Sequence, residues 1–300
     1  MNDRAQTIAI SGSSGLVGSA IAAKLSSEGR TVIPLVRGAA RAGAIAYDID
    51  AGTVDEAALA EVDAIIHLAG ENVGARWTDE RKRRILHSWV ASTELLARAI
   101  ARLDRKPSLL CASAIGIYGY DRGDTWLDES TESGDGFLAE VCRAWEAAAE
   151  PARAAGARTA HLRIGVVLSA KGGALDKLLP VFRLGAGGKV GSGEQFMSWV
   201  ALEDVVRAFV FALDRPDLSG PINIVAPEPV TNAAFTQALA HALHRPAIVP
   251  VPALALKLAM GEMARETVLA SQRVAPKRLQ AAGFTFSYPT IDAGVASAIA

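Results

Sequence analysis

Three glycines at a fixed spacing are the first candidates for chemistry in this chain. Gly12, Gly15 and Gly18 form a G-x-x-G-x-x-G pattern within TIAISGSSGLVGSAIAAKLSSEG (7–29). Such glycines permit a sharp turn, a close approach of backbone amides to a phosphate, and tight packing of a helix on a strand. Ile8–Ile10 read as a buried strand before the turn, and an amphipathic helix follows it. This order predicts that the helix N-terminus binds a dinucleotide pyrophosphate, with a structural Gly/Ser-rich turn as the alternative.

An arginine follows the second predicted strand, Thr31–Val36. In dinucleotide-binding sheets the end of this strand meets the adenosine ribose. A carboxylate there accepts a hydrogen bond from the 2′-hydroxyl, whereas an arginine can pair with a 2′-phosphate. Arg37 has no acid beside it, and Arg41 follows closely. This favours NADP over NAD, with a solvated surface role for the arginines as the alternative. Asp48, at the end of the third strand, could lie near the adenine or cap a turn.

Two hydroxyl side chains follow the fifth predicted strand, Leu109–Ala112. Open parallel sheets bind ligands beyond the carboxyl ends of their strands, so Ser113 and Tyr118 are candidate catalytic residues. Ser113 could position a substrate carbonyl or simply satisfy the strand end. Tyr118 could transfer a proton or pack in the substrate pocket. The acidic, Gly/Ser-rich residues 121–136 are interpreted as an active-site loop.

The remaining reactive side chains favour structural roles. His67 lies inside an apolar strand, Val62–Leu68, which is typical of a hydrogen-bonded core histidine. Cys142 falls in the middle of a predicted helix, where a buried core thiol is the common case. Two cysteines, Cys111 and Cys142, are too few for a disulfide framework or a zinc site, so no metal site is predicted.

Strands and helices alternate along the chain and predict the α/β class, with a doubly wound parallel sheet. The predicted strands are Ile8–Ile10, Thr31–Val36, Ala44–Ile49, Val62–Leu68, Leu109–Ala112, Thr159–Leu168 and Pro221–Val225. The predicted helices after the first are Val54–Leu59, Thr78–Ile100, Phe137–Ala155, Glu203–Leu213, Thr231–Leu243, Pro252–Met260 and Arg265–Leu269. From Ser169 glycines punctuate a loop-rich region. We therefore expect a nucleotide-binding domain over residues 1–168, with 203–225 returning to it, and a smaller C-terminal substrate lobe over 169–300.

The bulk composition argues against several classes of protein. Of 300 residues, 50% are hydrophobic and 21% charged, so a large core can form. Lys and Arg number 31 against 32 Asp and Glu, and this balance gives no reason to expect nucleic acid or an acidic membrane surface as a partner. The start, MNDRAQ, lacks the plan of a signal peptide, and no apolar run reaches about 18 residues. A soluble cytoplasmic protein is expected.

Several motifs resemble those of the extended short-chain dehydrogenase/reductase superfamily. They are SGSSGLVG (11–18), HLAG (67–70), ASAIGIYG (112–119), LRIGVVLSAKGG (162–173) and SWVALEDVV (198–206). Within that superfamily the chain is most similar to the YfcH-type epimerase family proteins. The more specific stretches are ENVGARWT (71–78), LLPVFRLGAGGKVGSGEQ (178–195) and the ending from Gly261-Glu262 through QRVAPKRLQAAGF (272–284). The similarity covers essentially the whole chain.

The resemblance implies a Rossmann-type fold, a family-specific C-terminal segment at about 248–296, and a bound NADP(H). It implies cofactor contacts in the phosphate turn, at the 2′-phosphate and along the adenosine side, with Glu71 near the nicotinamide ribose. The residues are Gly12, Ser13, Gly15, Leu16, Val17, Arg37, Leu68, Ala69, Gly70 and Glu71. The family is linked with NADP-dependent oxidoreductase or epimerase activity on small molecules, and superfamily members often form homodimers.

The chain departs from the superfamily at the catalytic residues. The superfamily uses a tyrosine four residues before a lysine, and no Tyr-x-x-x-Lys occurs in this sequence. When Glu146 anchors the comparison, Leu138 and Cys142 occupy those two positions, and the usual strand hydroxyl falls on Ala114. Two hypotheses follow. One is an NADP(H)-dependent enzyme whose proton comes from Ser113, Tyr118 or water; the other is a non-catalytic NADP(H)-binding redox sensor that presents a surface to a partner.

Overall fold

An eight-stranded sheet organises the computed structural model, which describes residues 6–39 and 41–300. Most of MNDRAQ, the stretch on which the interpretation of the N-terminus depends, therefore lies outside the described residues. The strands are β1 (Thr7–Ser11), β2 (Thr31–Arg37), β3 (Ile45–Asp48), β4 (Thr53–Val54), β5 (Ala64–His67), β6 (Ser108–Ala114), β7 (Asp121–Leu127), β8 (Thr159–Ile164), β9 (Val166–Leu168), β10 (Phe196–Met197), β11 (Trp199–Ala201), β12 (Gly220–Ile224), β13 (Val230–Thr231) and β14 (Ser271–Val274).

The main sheet has the order β12-β8-β6-β5-β1-β2-β3-β4. Its neighbours are parallel except at β3 and β4, which pair antiparallel at one edge. The chain leaves β1 towards β2 on one side and returns to β5 on the other side. This reversal opens a crevice at the carboxyl ends of β1, β2 and β5, where such sheets bind ligands. The topology confirms the predicted doubly wound α/β fold.

Helices cover both faces of this sheet. They are α1 (Leu16–Ser27), α2 (Glu56–Ala60), α3 (Asp79–Arg102), α4 (Phe137–Ala147), α5 (Glu150–Ala154), α6 (Gly173–Arg183), α7 (Leu202–Asp214), α8 (Asn232–Ala242), α9 (Ala253–Met260), α10 (Glu262–Glu266), α11 (Lys277–Ala281) and α12 (Ile291–Ile299), with a 3-10 turn at Ile115–Tyr118. Alternate residues of β1 point to opposite faces: Ile8 and Ile10 pack with α1 and α7, and Ala9 packs with α3 and α5. Burial on both faces fits a central parallel strand.

The predicted sixth strand is in fact two strands. β8 ends at Ile164 in the main sheet, and β9 begins at Val166 and pairs instead with β11. The break lies at Gly165, where an added Cβ would lie only 2.6 Å from the carbonyl oxygen of Ser198 and 2.7 Å from Val225. A glycine is needed because three backbone segments cross closely there. The chain passes from the main sheet into its C-terminal part at this crossing.

Two further predictions required correction. The segment 121–136, expected to be a loop, begins with strand β7, which pairs in parallel with β14. The predicted helix Phe137–Ala155 is interrupted at Ala148, and the short helix α5 then starts with Pro151 in its first turn. A proline is tolerated in the first turn of a helix but not in its interior, which explains the interruption.

Smaller differences affect the ends of elements. The segment predicted as helix Val54–Leu59 contains the end of β4 and then α2, because Asp55 caps α2 by accepting a hydrogen bond from the Ala58 amide (3.0 Å). The last predicted helix, Arg265–Leu269, is α10 and lies at Glu262–Glu266.

The C-terminal part of the chain has a core of its own. It is formed by apolar side chains of α6, α8 and α12 around Trp199, among them Leu175, Phe182, Phe235, Leu239 and Val295. Trp199 is fully buried, and its indole lies against Gly294 of α12, where an added Cβ would be 2.1 Å from the ring. No helix in the described part of the chain has the length and apolar character needed to cross a membrane.

Candidate functional site: a dinucleotide cradle at the sheet edge

The glycine turn between β1 and α1 has the geometry that the sequence predicts. Gly12 has φ +68°, a left-handed conformation that favours glycine. The Gly15 amide donates to the Gly12 carbonyl (3.0 Å) and closes the turn. An added Cβ on Gly18 would lie 2.2 Å from the same carbonyl oxygen. Gly12 and Gly18 therefore each have a steric reason to be glycine, and the turn fits a dinucleotide cradle.

The turn leaves donors at the start of α1. Its N-cap residue is Gly15, which makes no side-chain capping bond. The first amides of a helix lack partners within the helix, so the amides near Leu16 and Val17 can bind an anion there. Gly12 also lies against the end of β5, since an added Cβ would be 3.1 Å from the Ala69 nitrogen. Ser13 lies in the turn itself, between β1 and α1.

A buried hydrogen-bond chain holds β1 and β5 together beneath this turn. The Ser11 hydroxyl accepts from the amides of Leu68 (3.0 Å) and Ala69 (3.1 Å). Its own proton therefore faces His67 Nδ1 at 2.6 Å, and His67 Nε2 faces the Ser92 hydroxyl at 3.0 Å. Burial lowers the pKa of His67 to about 4, so the imidazole is neutral. The expected core histidine is confirmed.

Arg37 lies at the carboxyl end of β2, on the exposed edge of the crevice. It is opposite Tyr47 of β3 in the parallel register. Burial raises the pKa of the Tyr47 phenol, and the charge of Arg37 and a hydrogen bond from it oppose that shift. Asp48 instead caps a turn, because its carboxylate accepts from the amides of Asp50 and Ala51 (2.9 Å each). The Arg37 guanidinium thus lies at the strand end that is expected to meet the ribose. No carboxylate of the described residues forms an ion pair with it.

Residues 68–71, which follow β5, pack against helix α3. An added Cβ on Gly70 would lie 2.2 Å from the indole nitrogen of Trp89, so only glycine fits beneath that ring. The indole donates to the Glu71 carbonyl (3.0 Å), and the Glu71 amide donates to the Ser88 hydroxyl (3.0 Å). The Glu71 carboxylate lies 3.5 Å from Arg81. This packing fixes the backbone of residues 68–71 beside the glycine turn.

The two candidate hydroxyls belong to one buried network at the end of β6. Ser113 donates to Glu146 of α4 (2.8 Å). Glu146 accepts two bonds from Arg163 of β8 (2.8 Å each), and Arg163 also donates to the Tyr118 hydroxyl (3.0 Å). Tyr118 has no exposed surface and donates to Asn223 (2.8 Å). Burial raises the pKa of this phenol, although Arg163 opposes the shift.

The positions of the superfamily's tyrosine and lysine are apolar in this structure. Leu138 and Cys142 of α4 face Gly116, where an added Cβ would lie 3.2 Å from Leu138 and 3.9 Å from the Cys142 sulfur. Burial raises the pKa of the Cys142 thiol to about 12, which leaves it protonated and unreactive. Among the described residues, no group of three or more His, Cys, Asp or Glu side chains is arranged to hold a metal ion.

The sequence reasoning missed Glu146 and Arg163 as members of this network. A signal was available: Arg163 interrupts an apolar strand, and a buried arginine requires an acidic partner. Both charged groups are largely buried, with 9% and 15% of the Arg163 and Glu146 side chains exposed. It also missed Lys171, which lines a cleft at the start of α1.

Comparisons with known proteins agree with this geometry. Residues 8–225 match the model of the NAD dependent epimerase/dehydratase family, and residues 251–298 match a domain of unknown function, DUF1731. The epimerase family protein Mb2239 of Mycobacterium bovis is 44% identical over 286 residues, which are 95% of this chain and 94% of that protein.

Two solved structures are similar over nearly the whole chain. Human epimerase family protein SDR39U1 (isoform 2), solved with NADPH, is 30% identical with a TM-score of 0.86, and the match covers 98% of this chain and 99% of that one. The nucleoside-diphosphate sugar epimerase of Corynebacterium glutamicum is 40% identical with a TM-score of 0.82, and the match covers 99% of this chain and 58% of that one. The crevice, the glycine turn and these matches together show that the chain belongs to the NAD dependent epimerase/dehydratase family.

Proposed function

We propose that this protein is an NADP(H)-dependent oxidoreductase or epimerase acting on a carbonyl or sugar-nucleotide-type substrate. The observation that carries the proposal is the glycine turn at the crevice together with Arg37 at the end of β2. The nicotinamide group supplies hydride transfer when the cofactor is bound. The task of the protein is then to bind the cofactor, orient it and exclude water around the reacting atoms.

Different residues bind different parts of the cofactor in this proposal. The amides of Leu16 and Val17 at the start of α1 bind the pyrophosphate, and Arg37 pairs with the 2′-phosphate. The backbone of residues 68–71 forms the floor under the adenosine side. Because Ser11 already accepts hydrogen bonds from the Leu68 and Ala69 amides, this floor contributes shape and carbonyl groups rather than these donors.

Ser113 and Tyr118 act as positioning residues in this proposal. Both hydroxyls donate to internal acceptors, and Tyr118 is completely buried. Their network holds the end of β6 and the following 3-10 turn in place. Water then supplies the proton that a tyrosine supplies elsewhere in the superfamily.

Cofactor titration by calorimetry tests the proposal. We expect the wild-type protein to bind NADPH and NADP more tightly than NADH and NAD. In Arg37→Ala the binding of NADPH should weaken by about 1–3 kcal/mol, since one charge-assisted contact is lost, while NADH should change little. A wild-type protein that binds none of the four would overturn the proposal. With binding established, a panel of carbonyl substrates and NADPH tests for hydride transfer.

A second candidate function is a non-catalytic NADP(H)-binding redox sensor. The observation that favours it is the apolar pair Leu138 and Cys142 at the positions of the superfamily's catalytic tyrosine and lysine. A sensor should discriminate strongly between NADP and NADPH and change conformation between them, whereas an enzyme has to hold both. Turnover that disappears in Ser113→Ala or Tyr118→Phe without loss of fold would exclude the sensor.

A further inference from the structure

A cleft opens beside the glycine turn, on the side that faces the C-terminal part of the chain. Its volume is about 370 Å³. It is lined by Ser14, Gly15, Leu16 and Ser19 of the turn and the start of α1, and by Lys171 and Leu202 from later in the chain. The lysine therefore reaches the helix N-terminus from a segment more than 150 residues away in sequence.

The backbone around Lys171 is held firmly against the turn. The Lys171 amide donates to the hydroxyl of Ser169 (3.1 Å), which is itself buried, and the Ala170 amide donates to the Ala298 carbonyl (3.0 Å). An added Cβ on Gly172 would lie 3.7 Å from the Leu16 side chain. The position of Lys171 beside the start of α1 is thus a property of the packed fold.

Among the described residues, the ammonium group of Lys171 has no hydrogen-bond or ion-pair partner. No carboxylate lies within ion-pair distance of it in residues 6–39 and 41–300. Two other exposed lysines have partners in the protein: Lys24 pairs with Glu28 (3.1 Å), and Lys177 donates to the Gly74 carbonyl (3.2 Å). An unused cation beside unpaired helix amides makes the cleft attractive to an anion.

Two more helices begin near the cleft. α6 starts at Gly173, two residues after Lys171, and α7 starts at Leu202, a lining residue. The acidic side chains in the first turn of α7 are bonded elsewhere: Asp204 accepts from the Ser287 and Tyr288 amides (2.9 Å each), and Glu203 accepts from the Tyr288 hydroxyl (2.8 Å). These bonds hold both carboxylates against the segment that contains Ser287 and Tyr288.

We propose that Lys171 is a ligand of the pyrophosphate of the bound dinucleotide, contributed by the segment after β9. This inference rests on the proposed function, because it requires a nucleotide on the glycine turn. The pyrophosphate is the part of the ligand that would contact the start of α1, whereas the 2′-phosphate would bind Arg37 at the end of β2. The nucleotide is therefore held from both parts of the chain.

Titration of two probes into matched variants tests this assignment. NADPH contains the pyrophosphate, whereas adenosine 2′-monophosphate carries only the 2′-phosphate. The variants are Lys171→Gln, Lys171→Arg, Arg37→Gln and the control Lys24→Gln, which removes one exposed charge from the far part of α1. Binding is followed by calorimetry at two salt concentrations, and circular dichroism confirms that each variant is folded.

We expect Lys171→Gln to weaken NADPH binding by about tenfold, in line with loss of one hydrogen bond to a charged group. Its affinity for adenosine 2′-monophosphate should stay within about twofold of wild type, and its NADPH binding should depend less on salt. Lys171→Arg should retain most of the affinity, Arg37→Gln should weaken both probes, and Lys24→Gln should weaken neither.

Three results would overturn the assignment. Unchanged NADPH affinity in Lys171→Gln would show that the ammonium makes no contact with the nucleotide. Equal losses for both probes would place Lys171 on the 2′-phosphate side or implicate the fold. If wild type binds neither probe, the proposed function fails and this inference fails with it; if wild type binds both and only the Lys171 prediction fails, the proposed function stands.

Discussion

At the scale of single residues, the hydrogen bonds around His67 define its protonation state. The Ser11 hydroxyl accepts from two amides and so gives its proton to His67 Nδ1, which leaves Nε2–H to donate to Ser92. Ser92 passes its own proton to the Ser88 carbonyl (2.6 Å). A protonated imidazole would have no acceptor at Nδ1, and burial already opposes its charge. The neutral ring ties β1, β5 and α3 together.

His67 should therefore make stability sensitive to acid. Its pKa falls from an ordinary 6.5 to about 4 in the folded protein, so the unfolded chain binds the proton more readily. The stability contributed by the neutral His67 is fully present above pH 6.5. It is lost as the pH falls towards 4, by about 3 kcal/mol in total. Urea unfolding across this range measures the effect. Burial also lowers the pKa of His161 and acts with the same sign.

Two variants separate His67 from the other groups that titrate. His67→Gln should be less stable at pH 7 by about 1–3 kcal/mol, because buried partners lose their hydrogen bonds, but its stability should fall less between pH 6.5 and 4.5. His241→Gln, an exposed histidine on α8, should follow the wild-type profile. Equal acid sensitivity in wild type and His67→Gln would contradict the assignment.

At the scale of elements, helix α4 is capped by a residue from another element. Its own N-cap, Gly136, provides no side-chain bond. Instead the buried Glu266 of α10 accepts from the amides of Phe137 (3.1 Å) and Leu138 (2.9 Å). A carboxylate at a helix N-terminus satisfies free amides and interacts favourably with the helix dipole. This contact joins the C-terminal part of the chain to the helix that lies beside the end of β6.

Removal of this cap should loosen α4. Glu266→Ala leaves two amides without an acceptor, and we expect a loss of about 1–3 kcal/mol in the free energy of unfolding by urea. Glu266→Gln keeps one carbonyl acceptor and should lose less. Glu194→Ala, at an exposed loop position, serves as the control and should leave stability nearly unchanged. A Glu266→Ala protein as stable as the control would rule out a capping role.

At the scale of the whole molecule, the crossing at Gly165 connects the main sheet to the C-terminal part of the chain. The Gly165 amide donates to the Ile224 carbonyl (3.0 Å), and the Val166 amide donates to the Ser198 carbonyl (2.9 Å). The chain therefore changes partners from β12 to β11 within two residues. The two small strands β9 and β11 pair in parallel and contribute side chains to the second core around Trp199.

A side chain at position 165 should destabilise the main sheet and the second core around Trp199 together. In Gly165→Ala the new methyl group meets the Ser198 carbonyl and the buried Val225, and we expect a loss of about 1–3 kcal/mol from overpacking. Unfolding followed by circular dichroism and by tryptophan fluorescence should shift by the same amount. Gly74→Ala is the control, since its added Cβ would meet mainly the end of the exposed Asn72 side chain (3.0 Å). Equal stability of the two variants would refute a tight crossing.

Local spacing predicted much of the fold and the glycine turn at the crevice. Strand Ile8–Ile10, the glycine turn and the following helix are each encoded within a few residues, so their order alone predicts a phosphate cradle. Arg37 follows from its position at a strand end, and His67 from its apolar strand. Such features depend on contacts between neighbours in the chain, which the sequence displays directly.

Contacts between segments that are distant in the sequence could be identified only from the tertiary structure. The break at Gly165 exists because Ser198 passes beside it, and β7 is a strand because β14 lies next to it. In the same way, Ser113 and Tyr118 are internal hydrogen-bond donors only because Glu146 and Asn223 reach them. The sequence by itself indicated most strands of the main sheet and where a nucleotide is expected. Only the packing of crossing segments decided which side chains remain free to act, because burial and hydrogen-bond partners depend on the whole fold.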